Sequence, residues 1–471
     1  MKNILLLNLP SEIPNFRNLH RAKVGDPNYI LPTADLIYIS GFLWDAGFHL
    51  KFKDFQLKQK MTLEAYLAQS TPDIIVTTYS PFLQKEDLSQ LEKIAANHPE
   101  ITLILLASHK DRLDPTFTEQ LLRKYRFITG MVVDYAFNTL ASFLKGDRSE
   151  ALYNVMYLED ELYRGNLQNS PKEFSLPIPR HELFKSDHYF HYDGTGGHLT
   201  IAMTNFGCKQ PCSFCWAPQL YATVSDRSPE NLVDEMEHIV RSGFDEVYFH
   251  DYTFGYHRKH LLRFCKLMVD RGIKLRWFCS ARIDLMSPQV IKAMAEAGCR
   301  CIEFGIESGN YDVRKLYGKD FTDEKTKTVI NLCRENGIHT SAYLILGLPE
   351  ENLEDMDRSI QFVANLKVNY IALNILWAEE HTDLVKDVRQ EEEQPKHDVA
   401  MQTINFSHPH VTTNEVIQLR KKWMFKMYLN PRFIFEQLLN IRSLKKIKDL
   451  FFLFNQIAFS KGKNRPDIPI T

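Results

Sequence analysis

The chain has 471 residues, which at roughly 150 residues per domain sets an expectation of about three domains and excludes a single small fold. Hydrophobic residues make up 44% and charged residues 25%, with 20 Gly and 21 Pro, which excludes collagen-like, low-complexity and largely disordered chains. Lys plus Arg number 57 against 59 Asp plus Glu, and the formal net charge of −2 supplies no global field for nucleic acid or an anionic membrane, so no nucleic-acid partner is expected.

The chain opens with an apolar run from Ile4 to Leu9 after a lone Lys2. It is too short for a signal peptide and lacks a small-residue cleavage site, so it reads as a first buried strand over 3–8. A helix over 33–46 ends at Gly47, and a strand over 49–55 and a helix over 63–69 follow. Ile74-Ile75-Val76 then marks a buried parallel strand over 72–78. A helix over 85–97, a strand over 102–107 and helices over 117–125 and 137–144 continue the alternation. This predicts a doubly wound, Rossmann-like α/β domain over 1–150, whose ligands bind at the strand carboxyl ends. On fold alone, such a domain serves equally well as support for its neighbour.

Pro171, Pro177, Pro179 and the run Asp193-Gly194-Thr195-Gly196-Gly197 give residues 151–197 the composition of a linker. Strands over 199–204, 246–249, 274–279, 301–305, 339–345 and 370–376 then alternate with helices over 229–242, 258–271, 288–297, 323–336 and 353–366. Such a series predicts a partial (β/α)6 TIM-type barrel over 198–378 with its site at the strand carboxyl ends. A charged stretch over 390–397 and helical patterns over 413–429, 431–440 and 444–457 point to a C-terminal helical domain over 379–471, with an ill-ordered tail from 460. No run of about 18 apolar residues occurs, so no transmembrane segment and a cytoplasmic location are expected.

The chemistry concentrates in Cys208-Lys-Gln-Pro-Cys212-Ser-Phe-Cys215, directly after the first barrel strand. Three thiolates so spaced can converge on one iron-sulfur cluster, and three ligands leave one corner of a four-iron cluster open for a ligand. The alternatives are a structural zinc site borrowing His198 or His250, or three unrelated buried cysteines. The other cysteines, Cys265, Cys279, Cys299, Cys301 and Cys333, fall on helix or strand patterns as small core residues.

The loop, with Phe214 before its last cysteine, resembles that of the radical S-adenosylmethionine (SAM) enzymes. The resemblance continues through Asp251-Tyr-Thr-Phe254, Ser280-Ala-Arg-Ile-Asp284, Phe304-Gly-Ile-Glu-Ser308 and Leu346-Gly-Leu-Pro-Glu350, each after a successive strand. With the N-terminal α/β domain and Tyr428-Leu-Asn-Pro-Arg432, the whole is similar to the cobalamin-binding branch of that family. The resemblance implies a four-iron, four-sulfur (4Fe-4S) cluster on Cys208, Cys212 and Cys215 whose free iron chelates SAM. Phe214 and the Gly347, Leu348 and Pro349 backbone would face the adenine, and Asp251 the methionine amino group. Arg282 would pair a carboxylate, and Glu307 with Ser308 would bond the ribose or amino group. For Arg282 and Glu307, a barrel-top salt bridge is the alternative.

Cobalamin, the third cofactor implied, would enter between Thr77, Thr78 and Ser80 on one side and Ala107 and Ser108 on the other. The family's Gly-Gly turn is here Ala107-Ser108-His109, and its later glycine-rich turn is Gly130-Met-Val-Val-Asp134. Lys421, Lys422, Trp423, Phe425, Lys426 and Tyr428 would lie on a membrane or, the preferred reading, bury their aromatic face on the barrel. The leading function is generation of a 5'-deoxyadenosyl radical that abstracts hydrogen from an unactivated carbon for cobalamin-dependent methyl transfer. The substrate would be a small molecule, lipid or peptide, and flavodoxin or ferredoxin the type of electron donor. A cobalamin-free cyclase, coupling or rearrangement enzyme and a noncatalytic cobalamin or iron-sulfur sensor are the competing readings.

Overall fold

The computed structural model describes residues 2–11, 15–17, 23–24, 29–57, 59–81, 83–134, 138–149, 152–159, 161–165, 172–221, 223–379, 381–388, 404–431, 434 and 447–448. They gather into two compact units. One is built from the chain up to Tyr189 and the other from Phe190 onward, the second also taking in the short strand Tyr29–Ile30.

In the first unit, strands β1 (Asn3–Asn8), β2 (His49–Asp54), β3 (Ile74–Thr78), β4 (Thr102–Leu106) and β5 (Gly130–Val132) alternate with helices α1 (Ala34–Asp45), α2 (Leu63–Gln69), α3 (Gln84–Asn97), α4 (Pro115–Lys124) and α5 (Asn138–Leu144). The strands pair in parallel in the order β2-β1-β3-β4-β5, which places the reversal of winding between β1 and β3. Helix α4 starts two residues before its expected first residue because Asp114 caps it, accepting from the Thr116 backbone, with Pro115 in the first turn.

Residues 151–197 depart from the linker expectation. Val155–Leu158 (β6) and Leu162–Arg164 (β7) extend the first sheet antiparallel beyond β5, with Met131 opposite Met156. Further on, Phe184 packs its ring 4.2 Å from Phe52, and the Tyr189 hydroxyl donates to Asp54 at 2.7 Å. Pro and Gly in this stretch limit regular helix, yet its apolar side chains still find the sheet.

In the second unit, β8 (Leu199–Ala202), β9 (Glu246–Phe249), β10 (Arg276–Ala281), β11 (Cys299–Glu307), β12 (His339–Leu346) and β13 (Tyr370–Ile375) pair in parallel in chain order. The helices between them are α6 (Pro229–Arg241), α7 (Arg258–Asp270), α8 (Pro288–Glu296), α9 (Asp323–Glu335) and α10 (Leu353–Asn365). The strands do not close into a barrel, since β8 and β13 are the two edges of the sheet. Alternate residues such as Phe249, Ile302 and Leu344 pack with Phe264, Ile291 and Val329 of the helices. The opposite face carries Tyr248, Ser280 and Glu303. There the Glu303 carboxylate accepts from Tyr192, Tyr248 and Ser280 hydroxyls at 2.9, 2.8 and 2.8 Å and lies 3.2 Å from His191 Nε2. Burial opposes its ionisation, but the bonds from His191, Tyr248 and Ser280 outweigh it and hold its pKa at about 2.

Helix α11 (Thr413–Tyr428) begins with a capping box between Thr412 and Glu415. Trp423 is buried and donates its indole N–H to Asp357 of α10 at 3.0 Å, while Phe425 stays exposed. Among the described residues no helix is long and apolar enough to cross a membrane. The helices expected over 431–440 and 444–457, Arg432, and the tail from 460 lie almost wholly outside the described residues.

Candidate functional site

The first barrel strand stops at Ala202 rather than Thr204, and the reason shapes the site. The buried Asp251 carboxylate, just past β9, accepts from the Thr204 backbone at 2.7 Å, the Thr204 hydroxyl at 2.6 Å and the Asn205 backbone at 3.4 Å. This turns the chain out of the sheet and into the cysteine loop. Asp251 is thereby directed into the root of the loop. Asn205 is tied to the Thr253 carbonyl at 3.3 Å, and the Thr253 hydroxyl lies 3.6 Å from Cys208 Sγ.

Within the loop, Cys215 N–H donates to the Cys212 carbonyl at 3.0 Å, a tight turn that brings those two residues together. Gly318, at φ +76°, lets the chain after β11 pass directly against the Pro211 carbonyl, where a Cβ would collide. That passage carries in Lys319, a residue the strand-end motifs do not announce. Lys319 is buried, with Nζ 2.9 Å from Glu307 Oε1 and donating to the Gly305 carbonyl at 3.0 Å. Arg282 donates Nη1 to Cys212 Sγ at 3.2 Å. Its Nε and Nη2 grip Asp284 at 3.0 and 2.9 Å, so most of this guanidinium is held by its own chain.

Glu307 sits at φ +69°, a left-handed conformation costing a non-glycine residue roughly 1 kcal/mol or more. The β11–β12 register shifts at the same place, between Gly305 and Glu307. Its neighbour Ser308 turns the other way and donates to Glu351 Oε1 at 2.6 Å, beside the Ser359 hydroxyl at 3.3 Å. Burial raises the Glu351 carboxyl to about 7 despite the bonds from Ser308 and Ser359. Phe214 lies 6.2 Å from the Tyr317 ring, and the Tyr317 hydroxyl donates to Glu350 at 2.6 Å. Gly347, at φ +90°, and Leu348 are buried at the end of β12, with Pro349 half-buried.

Burial pushes the Cys215 thiol up to about 12 and also raises Cys212, against which Lys319 and Arg282 act by favouring the thiolate. The same two cations would balance the charge of thiolates bound to metal, and binding would release the thiol protons. His198, one partner in the zinc alternative, sits at the amino end of β8, its N–H on Asp245 at 2.9 Å. The four residues of β8, about 13 Å of strand, separate it from the end that leads to the cysteines. The remaining five cysteines are buried and free.

At the strand ends of the first unit, Ser108 donates both its N–H and its hydroxyl to Asp111 at 2.7 Å. The Tyr79 hydroxyl and Thr118, the latter at 3.0 Å, complete the same carboxylate. Ser80 N–H is on Asp87 at 2.8 Å, and the Thr77 hydroxyl is on the Thr78 carbonyl at 3.1 Å. Ala107 continues the ladder, its N–H on the Val132 carbonyl. The Thr78 hydroxyl is buried with no hydrogen-bond partner.

Residues 204–363 match the family model described as the radical SAM superfamily, and the match spans every strand-end group just described from Thr204 to Ser359. That segment is similar to the radical SAM domain. The chain is 26% identical over 316 residues to an uncharacterized methyltransferase of Pyrococcus horikoshii, covering 64% of this chain and 66% of the relative. It is 24% identical to the anaerobic magnesium-protoporphyrin IX monomethyl ester cyclase of Cereibacter sphaeroides, covering 70% and 55%. The chain thus spans no more than about two thirds of the length of either relative. Its fold is shared with the cobalamin-dependent radical enzyme OxsB solved with aqua-cobalamin and SAM, at TM-score 0.67 and 16% identity over 96% of this chain and 70% of that one. The radical SAM domain implies a 4Fe-4S cluster and SAM as cofactors. The residues present fit a cluster: three free thiols in one loop, with Lys319 and Arg282 beside Cys212. The buried, unpartnered Thr78 hydroxyl fits a further polar ligand at the first sheet, the place expected for cobalamin.

Proposed function

We propose that this chain is a radical SAM methyltransferase that acts on an unactivated carbon, with the cluster on Cys208, Cys212 and Cys215 and cobalamin at the first sheet beside Thr77, Thr78 and Ser80. The observation that carries the reading is the placement of the three-thiol loop beside Lys319, Arg282 and Glu307 at the carboxyl ends of a six-stranded parallel sheet. When bound, a cluster on Cys208, Cys212 and Cys215 would supply the reducing electron for radical chemistry on SAM, and cobalamin beside Thr77, Thr78 and Ser80 would supply the methyl group. The protein's own part is orientation and charge. Asp251 anchors the loop root, Lys319 and Arg282 offset thiolate charge, and Glu307 holds Lys319 in place. The buried turn Gly347-Leu348-Pro349 offers backbone to the adenine.

The substrate is a small molecule, lipid or peptide, and an electron donor of the flavodoxin or ferredoxin class completes the cycle. The relative named as a methyltransferase and the fold shared with OxsB support the methyl-transfer reading. A second reading, a radical SAM cyclase or rearrangement enzyme without cobalamin, is favoured by one observation: Ser108 is fully engaged by Asp111. Anaerobic reconstitution with iron, sulfide and hydroxocobalamin, followed by gel filtration and an absorption spectrum, decides between them. Retained iron and corrinoid are expected. Retained iron with no corrinoid gives the second reading, and protein without iron removes both.

A further inference from the structure

The turn Gly347-Leu348-Pro349 is braced from a distant part of the chain. Ile404 packs against Gly347, its Cδ1 2.8 Å from where a Cβ would stand, and Phe406 is buried beyond it. Asn405 secures this strap by pairing its amide with both the N–H and the carbonyl of Ala378, at 2.7 and 2.9 Å. Two residues past Phe406, the half-buried His408 places Nε2 3.1 Å from the Leu348 carbonyl oxygen. Its Nδ1 lies 3.1 Å from the His410 backbone nitrogen and 3.2 Å from that of Val411.

Backbone N–H groups only donate, so Nδ1 is an acceptor here and the ring proton sits on Nε2, which donates to Leu348. The neighbours therefore dictate a neutral ring of one tautomer. A protonated ring would aim an Nδ1–H at two N–H donors and break the brace. The groups facing His408 are the Phe406 ring at 5.9 Å, the His410 ring at 6.1 Å and the Glu350 carboxylate, which is itself engaged by Tyr317. Burial above all, with His410, keeps His408 below the ordinary imidazole value, and Leu348 and Glu350 oppose them.

We propose that His408 is a positioning residue for SAM, fixing the Leu348 carbonyl and with it the turn on which the adenine binds. His408 lies outside residues 204–363 of the superfamily match. The inference rests on the radical SAM reading of that turn.

The test is calorimetric titration of the reconstituted, unreduced full chain with SAM at several pH values, with iron measured in every variant. Wild-type affinity should fall as the solution is acidified through the range below pH 6.5. His408→Ala should bind roughly three- to tenfold more weakly at neutral pH, the scale of one hydrogen bond, with unchanged iron and a flatter pH profile. His408→Gln, which keeps an N–H donor, should recover most of the neutral-pH affinity. Wild-type affinity and pH profile in His408→Ala overturn the proposal, as does a His408→Gln no better than His408→Ala. Wild-type protein that holds iron yet binds no SAM overturns the reading of the turn itself.

Discussion

At the strand ends of the first sheet, charged groups are matched within the unit. Arg17 grips Asp87 with Nε at 2.8 Å and Nη2 at 2.7 Å, and its Nη1 bonds Asn8 and the Leu9 carbonyl. Arg112 meets Asp134 at 2.7 Å, and Asp111 collects four donors. At the strand ends of the second sheet, three thiols lie in one loop with no disulfide, and one arm of Arg282 rests on a thiol rather than a carboxylate. Both sheets concentrate polar residues where a parallel α/β fold places its ligands. What separates them is how charge is matched: in the first unit these charged side chains pair with one another while the Thr78 hydroxyl is left without a partner, and in the second Arg282 and Lys319 lie beside a thiol, where the charge of another molecule can be met.

The largest test of this contrast removes a thiol. Cys208→Ala, Cys212→Ala or Cys215→Ala should each lose bound iron and all SAM cleavage, whereas Cys265→Ala or Cys333→Ala, in the core, should keep both. Iron near the wild-type level in any of the three loop variants would return that cysteine to the core.

The matched network of the first unit should answer in stability. Arg17→Ala leaves the Asp87 carboxylate buried without its cation and should cost about 3–5 kcal/mol by urea unfolding. Pairing it with Asp87→Ala should cost clearly less than the two changes summed. Strict additivity would show that the ion pair contributes nothing.

A pH scan distinguishes the buried Glu351. Its carboxyl is raised from 4.5 to about 7, so the folded chain binds a proton more tightly than the unfolded one. Its contribution is therefore complete below pH 4.5 and is lost as pH rises through about 7. Glu351→Gln, able to keep the Ser308 and Ser359 bonds, should gain on the wild type over that window, by about 1–3 kcal/mol at its upper end. A constant difference in melting temperature between pH 5 and 8 would contradict the shift.

The smallest effect on stability belongs to Thr78. Because its hydroxyl has no partner, Thr78→Val should change stability by less than about 0.5 kcal/mol or raise it. The same variant should release hydroxocobalamin on gel filtration if that hydroxyl faces the corrinoid. Full retention would leave the cofactor's contacts to other residues.

Much of this molecule is legible in short-range pattern. The alternation of apolar runs with amphipathic stretches locates the strands and helices it names within two residues, because periodicity and burial are read locally, while β5 and short elements such as Tyr311–Leu316 carry too few residues to show a period. The cysteine spacing and strand-end motifs place the loop and its neighbours in chain order for the same reason. Composition misleads at 151–197, where Val155–Leu158 and Leu162–Arg164 join the sheet, since Pro and Gly report backbone freedom and not whether apolar side chains find a surface.

The amino-acid sequence by itself determined the order of elements, the three-cysteine loop and which residues stand at strand ends. Only the tertiary structure decided what each of those residues does there. Asp251 turns to Thr204, Ser308 to Glu351 and Arg282 to Asp284, while Lys319 and His408 arrive from stretches with no motif of their own. The reason is physical: a buried polar group must find a partner, and sheet register and chain crossings, not spacing along the chain, set which partner is nearest.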